Sequence, residues 1–233
     1  YKNTMDIVHD KNQTLDRLTV SSTEEEAQGQ SNTNAIASSK SSHVPKIYTR
    51  TGDRGTSVLL DCGSTRLSKD SLVFDLLGTI DEFSSTIGMV RSICSFPLIL
   101  KELENIQRCC FEIGSCVAAN NCSSRFVFND STLIKNLEEQ IDKMTEELPE
   151  LHHFILPGGS SQTASCLHLA RAVCRRCERL LTKWLNNQIE EEQSQQDTIM
   201  GIYLNRLSDY LFTLARYIAY KEGHEDLIYH KSK

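Results

Sequence analysis

Four arginines fall within nine residues of this chain, at Arg171, Arg175, Arg176 and Arg179. A guanidinium stays charged and offers a planar fork of donors that grips phosphate oxygens in pairs. On a helix at about 100° per residue, Arg171, Arg175 and Glu178 share one stripe, with Arg176 and Arg179 on its flanks. Arg171 and Arg175 stand one turn apart, a like-charge pair that costs roughly a few tenths of a kcal/mol on a bare helix. Two explanations compete. One is a solvated face on which Glu178 pairs back to Arg175; the other is a face that receives an anion.

A second candidate lies upstream, in KIYTRTGDRGTSVLLDCGSTRLSKD from Lys46 to Asp70. Gly52, Gly55 and Gly63 interleave with Thr49, Thr51, Thr56 and Ser57. Glycines let backbone N–H groups approach a ligand closely and hydroxyls add donors, so the stretch reads as a phosphate-binding loop or as a plain glycine-rich connection. It is not a Walker A loop, whose G-x-x-x-x-G-K-[ST] spacing is absent. Further polar groups fall inside helical patterns: Asp81 with Glu82, and Asn205 with Asp209 at i, i+4.

These residues need helices to place them. SLVFDLLGTIDEFSSTIGMVRSIC (71–94) has a 3.6-residue apolar period. Pro97 suits the first turn of a second helix running to about Ala119. Asp130 or Ser131 caps a third, over 132–148, which stops before Pro149. LHHFILPGGSSQ is a loop leading into the arginine helix of 165–184, whose core stripe is Cys166, Ala170, Val173, Cys177, Leu180 and Trp184. NQIEEEQSQQD (187–197) reads as another loop, and a fifth helix spans 202 to about 223. The expected fold is all-α, an antiparallel five-helix bundle over residues 45–230. Residues 1–44 are rich in Ser, Asn, Gln and Glu and read as a disordered polar tail. One bundle has too few inner faces to hide all these polar groups, so a site at a subunit boundary is expected.

Composition narrows the classes. A net charge of −6 over 233 residues argues against nucleic-acid binding through bulk charge, so the arginine cluster is local. No apolar run reaches the roughly 18 residues of a membrane span. Nine cysteines, mostly within helical patterns, suggest buried thiols in a reducing compartment. Cys174 and Cys177 form a lone C-x-x-C facing the core, a poor zinc or redox site. His152, His153 and His168 read as loop or packing residues. The tail begins at Tyr1, as expected of a trimmed chain, and its acidic Glu24–Glu26 run does not resemble a transit peptide.

Six ordered motifs then carry a resemblance across roughly residues 46–229: T-x-T-G-D-x-G-T-S (49–57), S-K-D (68–70), G-T-I-D-E-x-x-S (78–85), F-I-L-P-G-G (154–159), R-A-V-C-R-R-x-E-R (171–179) and L-N-R-L-S-D-x-L-F-x-L-A-R (204–216). Together they strongly resemble the PduO-type ATP:cob(I)alamin adenosyltransferases, and the C-terminal part looks most like the animal mitochondrial members. The resemblance implies a homotrimeric five-helix bundle with ATP at each subunit boundary. It implies that Thr49, Arg50, Thr51, Gly52, Thr56, Ser57 and Lys69 form the nucleotide loop. Arg175, Arg176, Glu178, Arg179 and Asn205 would complete the ATP site, with Glu178 toward Mg²⁺. Asp81 would pair with Arg171, across the subunit contact. Phe154, joined by Asp209, would lie on the corrinoid side, its ring expelling the lower nucleotide ligand. Ser84 departs from the Asn of many members.

The implied reaction is attack of cob(I)alamin on the 5′ carbon of ATP, giving adenosylcobalamin and triphosphate. The nucleophile comes with the substrate, which leaves the protein to position and to neutralise charge. Mitochondrial matrix location, an adenosylcobalamin-dependent mutase, and a reductase or cobalamin chaperone as partners follow from the resemblance alone. Two other classes compete: a protein that only carries and delivers adenosylcobalamin, and a structural helical oligomer whose arginines zip subunits together.

Overall fold

The computed structural model describes residues 46–59, 66–119, 126–159, 161–187 and 195–231. The predicted tail over 1–44 and most of the 187–197 loop lie outside them. Two compact units divide the chain, one through Arg54 and one from Gly55 onward. In the first, Thr49 and Thr51 join their hydroxyls at 2.9 Å. Lys46 and Arg50 set their cations 5.5 and 5.3 Å from the Tyr48 ring centre. Arg50 adopts φ 58°, a left-handed conformation that side chains with a Cβ seldom take.

The second unit opens with a hairpin that has no counterpart among the helical expectations. Thr56–Val58 (β1) pairs antiparallel with Arg66–Ser68 (β2), Ser57 opposite Leu67. Three residues per strand are too few to register as an alternating pattern. Arg66 fastens the pair, donating from Nε to the Thr56 hydroxyl and from Nη2 to the Thr56 carbonyl, each at 2.8 Å. The Lys69 N–H bonds the carbonyl of Gly55, which sits at φ 74°.

Five α-helices follow among the described residues: Leu72–Ile93 (α1), Pro97–Ala119 (α2), Thr132–Glu147 (α3), Gln162–Leu185 (α4) and Gln195–Lys221 (α5). Their boundaries follow local chemistry. Pro97 opens α2 where its missing N–H costs nothing. The Ser161 hydroxyl accepts from Ala164 N–H and caps α4. At α3 the N-cap position belongs to Ser131, but the Asp130 carboxylate makes the bonds, accepting from Thr132 N–H at 2.9 Å and its hydroxyl at 2.6 Å. The fifth helix begins at Gln195, inside the stretch expected to be loop.

α4 is the hub: α1 packs on one flank, α5 on the other, with α2 against α1 and α3 against α5. Consecutive helices reverse direction, so α3 and α5, two apart in the chain, run parallel. The Glu138–Arg206 pair at one level and Glu147–Lys221 at the next show this. Packing on two flanks also widens the buried face of α4 beyond the predicted stripe. Leu167, Cys174 and Leu181 are fully buried with Ala170, Val173, Cys177 and Trp184, while Cys166 and Leu180 are only half-buried.

The two bonds from Thr132 hold the Asp130 carboxyl below its ordinary 3.8. The carboxylate is therefore favoured in the folded state, and its contribution is present above 3.8 and lost as pH falls through the lower folded value. Asp130→Ala is expected to lower the urea midpoint at pH 7 more than Ser131→Ala does. The Asp130→Ala deficit shrinks on acidification below pH 3.8, read by circular dichroism.

Candidate functional site

The buried face of α4 leaves its arginines on the opposite side, where they divide into two kinds. Arg176 forms an ion pair with Glu82 of α1, and this half-exposed contact ties the two helices. Arg171, Arg175 and Arg179, at i, i+4 and i+8, have no carboxylate within ion-pair distance among the described residues. Glu178 does not turn back to Arg175. It accepts from the Asn205 amide of α5 at 2.8 Å, which removes the acid that the solvated-face reading relied on. Three cations on consecutive turns repel one another, and no acid among the described residues offsets that repulsion.

At the N-terminal end of that row Phe212 of α5 lies between two polar groups. The Arg171 guanidinium stands 5.9 Å from its ring centre, and the His168 ring meets it edge-on at the same distance and 61°. The Nε of Arg171 and the Nδ1 of His168 are both buried with no hydrogen-bond partner. Burial, then the Arg171 cation, pushes His168 below its usual range and keeps the imidazole neutral at pH 7. Burial, then Arg175, lowers Arg171. His168 is thus 8% exposed and packs on Phe212, a packing residue with one ring nitrogen unanswered.

Phe154 projects from the 149–159 segment with 86% of its surface exposed, although a core aromatic is the ordinary fate of such a residue. The following Pro157-Gly158-Gly159 turn needs both glycines. Each has φ above 90°, and a Cβ on Gly158 would lie 3.1 Å from the Ser165 hydroxyl, which accepts from Gly159 N–H at 3.0 Å. This turn fixes the segment to the first turn of α4.

The remaining predicted residues separate. Asp81 is exposed on α1 one residue before Glu82, and it makes no ion pair with Arg171 within the chain. Asp209 pairs with Arg206 at 3.1 Å. The Thr56 hydroxyl is engaged by Arg66, Ser57 is half-buried in β1, and Lys69 is exposed. Thr49, Arg50, Thr51 and Gly52 belong to the first unit. Ser84 is buried, and its carbonyl accepts from Gln107 of α2, so it belongs to the core. A cavity of about 340 Å³ lies elsewhere, behind the 149–155 segment.

The bundle thus carries an arginine row without an acid of its own among the described residues, and a separate exposed ring at Phe154. Comparison with known proteins supplies the class. Residues 47–218 match the family model described as cobalamin adenosyltransferase, so the chain belongs to that family. It is similar to human corrinoid adenosyltransferase MMAB, 42% identical over 202 residues, covering 84% of this chain and 77% of the human one. It is 38% identical to the Bacillus subtilis corrinoid adenosyltransferase over 191 residues, covering 80% and 93%. Among solved structures, a variant PduO-type ATP:corrinoid adenosyltransferase from Lactobacillus reuteri complexed with cobalamin and ATP superposes with a TM-score of 0.71. It is 35% identical over 80% of this chain and all of that one.

The C-x-x-C pair is structural. Cys174 Sγ bonds Leu204 O at 3.4 Å and Cys177 Sγ bonds Thr79 O at 3.3 Å, and both are fully buried. Burial pushes Cys177 up to about 12. At pH 8 neither thiol is expected to react with a disulfide reagent in the folded protein, and both react once urea unfolds it. Mass-spectrometric mapping of labelled cysteines checks this.

Proposed function

We propose that this chain transfers the 5′-deoxyadenosyl group of ATP to cob(I)alamin. The observation that carries the reading is the row of Arg171, Arg175 and Arg179, which has no acid of its own among the described residues. Cob(I)alamin donates an electron pair to C5′, the Co–C bond forms, the C5′–O bond breaks, and triphosphate leaves with that bonding pair. The leaving group's growing charge is where preorganised cations act most strongly. Arg175, Arg176 and Arg179, with Lys69, meet the triphosphate, and the resemblance assigns Thr49, Arg50, Thr51, Gly52, Thr56 and Ser57 to nucleotide binding. No general acid or base is needed, since no proton is transferred.

Phe154 supplies the apolar side. Its ring takes the place of the lower nitrogen ligand of the corrinoid, favouring a four-coordinate Co(II) that is easier to reduce. Asp209 lies toward the same substrate. Asp81 answers Arg171 from a neighbouring subunit of a homotrimer; the buried, unbonded Arg171 Nε and the exposed Leu169 on the same helix support such a boundary.

Mg²⁺ fits the chemistry at Glu178. Its carboxylate has an oxygen not used by Asn205, and a hard cation that keeps its waters needs only one or two protein oxygens beside phosphate. No group of three His, Cys, Asp or Glu suited to a metal occurs among the described residues, in keeping with an ion that arrives on the nucleotide. Bound there, Mg²⁺ would neutralise charge on the triphosphate. Location in the mitochondrial matrix and delivery of adenosylcobalamin to a mutase complete the proposal, on the strength of the animal relatives.

Arg175→Ala is expected to abolish ATP binding by calorimetry while leaving a folded trimer by sedimentation. Retained affinity, or collapse to monomer, counts against the assigned role. ATP at 100 times its Kd should stabilise the parent protein by about 2.7 kcal/mol. Turnover is read from the anaerobic conversion of reduced cobalamin to adenosylcobalamin with ATP and Mg²⁺. A bound but unconverted corrinoid would indicate a delivery protein. No spectral change at all would indicate a helical oligomer.

A further inference from the structure

We propose that Arg216 is a positioning residue for Phe154, acting through the C-terminal strand, the stretch 226–229 that meets the Phe154 segment at a single isolated bridge; this rests on the reading of Phe154 as the ring that faces the corrinoid. Arg216 lies near the end of α5, far in sequence from the ring, and is only 8% exposed. Its Nε donates to Asp226 Oδ2 at 2.7 Å and its Nη2 to the Pro149 carbonyl at 2.9 Å. One buried guanidinium therefore holds the start of the Phe154 segment and the start of the C-terminal strand together.

That strand then grips the ring's own backbone from both sides. Tyr229 N–H donates to Phe154 O at 2.8 Å, and Leu156 N–H donates to Leu227 O at 2.7 Å, around the Ile155–Ile228 bridge. Side chains alternate along an extended segment. His153 and Ile155 line the cavity of about 340 Å³ behind it, as do Leu151, Tyr220 and Ile228, while Phe154 does not. The ring is thus carried on backbone with a hollow behind it and solvent in front. Packing cannot fix its height. The Arg216 clamp, the strand bonds and the Ser165 turn are what remain to fix it.

Asp226 is the acid that meets Arg216, and His168 feels the Asp226 charge weakly from α4. The clamp is therefore a partly shielded ion pair, in which Nε meets a carboxylate and Nη2 a backbone carbonyl. A misplacement of about 1 Å at a reacting group can cost on the order of a hundredfold in rate, so a small sag of this segment is enough to matter.

The test uses the full chain with ATP, Mg²⁺ and cob(II)alamin under anaerobic conditions. It compares Arg216→Met, Tyr229→Pro and Phe154→Ala. Tyr229→Pro removes the backbone donor to Phe154 O while fixing φ there and restricting Ile228, so it reports on the strap beneath the ring if Arg216→Met fails to fold. Two quantities are read: the fraction of four-coordinate cob(II)alamin by absorbance, and the KM for ATP with pre-reduced cob(I)alamin. The clamp predicts that Arg216→Met and Tyr229→Pro each lower the four-coordinate fraction by about fivefold or more, with the ATP KM changed by less than about twofold. A KM that rises in step with the lost fraction means general loosening and overturns the proposal. So does a parental fraction in both variants while Phe154→Ala loses it. A parental fraction in Phe154→Ala overturns instead the reading of the ring on which the proposal rests.

Discussion

Helix α4 is wedged between α1 and α5, and the rest of the arrangement depends on that double contact. Burying Leu167, Ala170, Val173, Cys174, Cys177, Leu181 and Trp184 uses up most of the helix circumference. What is left must carry the charged residues of the segment, so the arginines share the remaining face, Arg176 toward α1 and the others along the row. Their mutual repulsion is a local cost that the large apolar burial of the same helix outweighs, at about 25 cal/mol per Å² removed from water. The charged row is thereby held on a rigid element, which places donors more accurately than a loop can.

The acids of the neighbourhood are distributed so that the row stays open. Glu82 takes Arg176, Glu138 and Asp209 take Arg206, and Glu178 takes Asn205. Each of these contacts joins helices or braces one, and none of them neutralises Arg171, Arg175 or Arg179. The pairing leaves Arg176 held by Glu82 while Arg171, Arg175 and Arg179 have no acid among the described residues. Position around α4 decides it, because only the side facing α1 meets an acid within reach.

The apolar half of the site follows a different logic. Phe154 is kept out of the core by a segment whose backbone bonds go to the C-terminal strand, to Arg216 and to Ser165. An aromatic ring left in water loses the burial that would stabilise it, and the hydrogen bonds beneath it offset that loss. The molecule thus carries a cationic row on a helix and an exposed apolar ring on a strapped segment, the two kinds of surface that the proposed reaction calls for.

The sequence by itself determined the elements and the inventory. A 3.6-residue period, Pro97 and the cap at Asp130 or Ser131 marked four helices to within a few residues, because those signals act locally, while the fifth starts at Gln195, well before the expected 202. The motifs from Thr49 to Arg216 identified the family, since six ordered matches need no coordinates. The short hairpin escaped because its order comes from Arg66 reaching across to Thr56, a contact with no periodic trace. Only the tertiary structure decided which arginines are spent and which are free, since an ion pair such as Glu82–Arg176 joins residues remote in the chain. It also decided that Phe154 stands in solvent and that Arg216 holds the backbone beneath it. Exposure and long-range hydrogen bonding are properties of how helices and strands meet, and residue type and spacing along one element do not contain them.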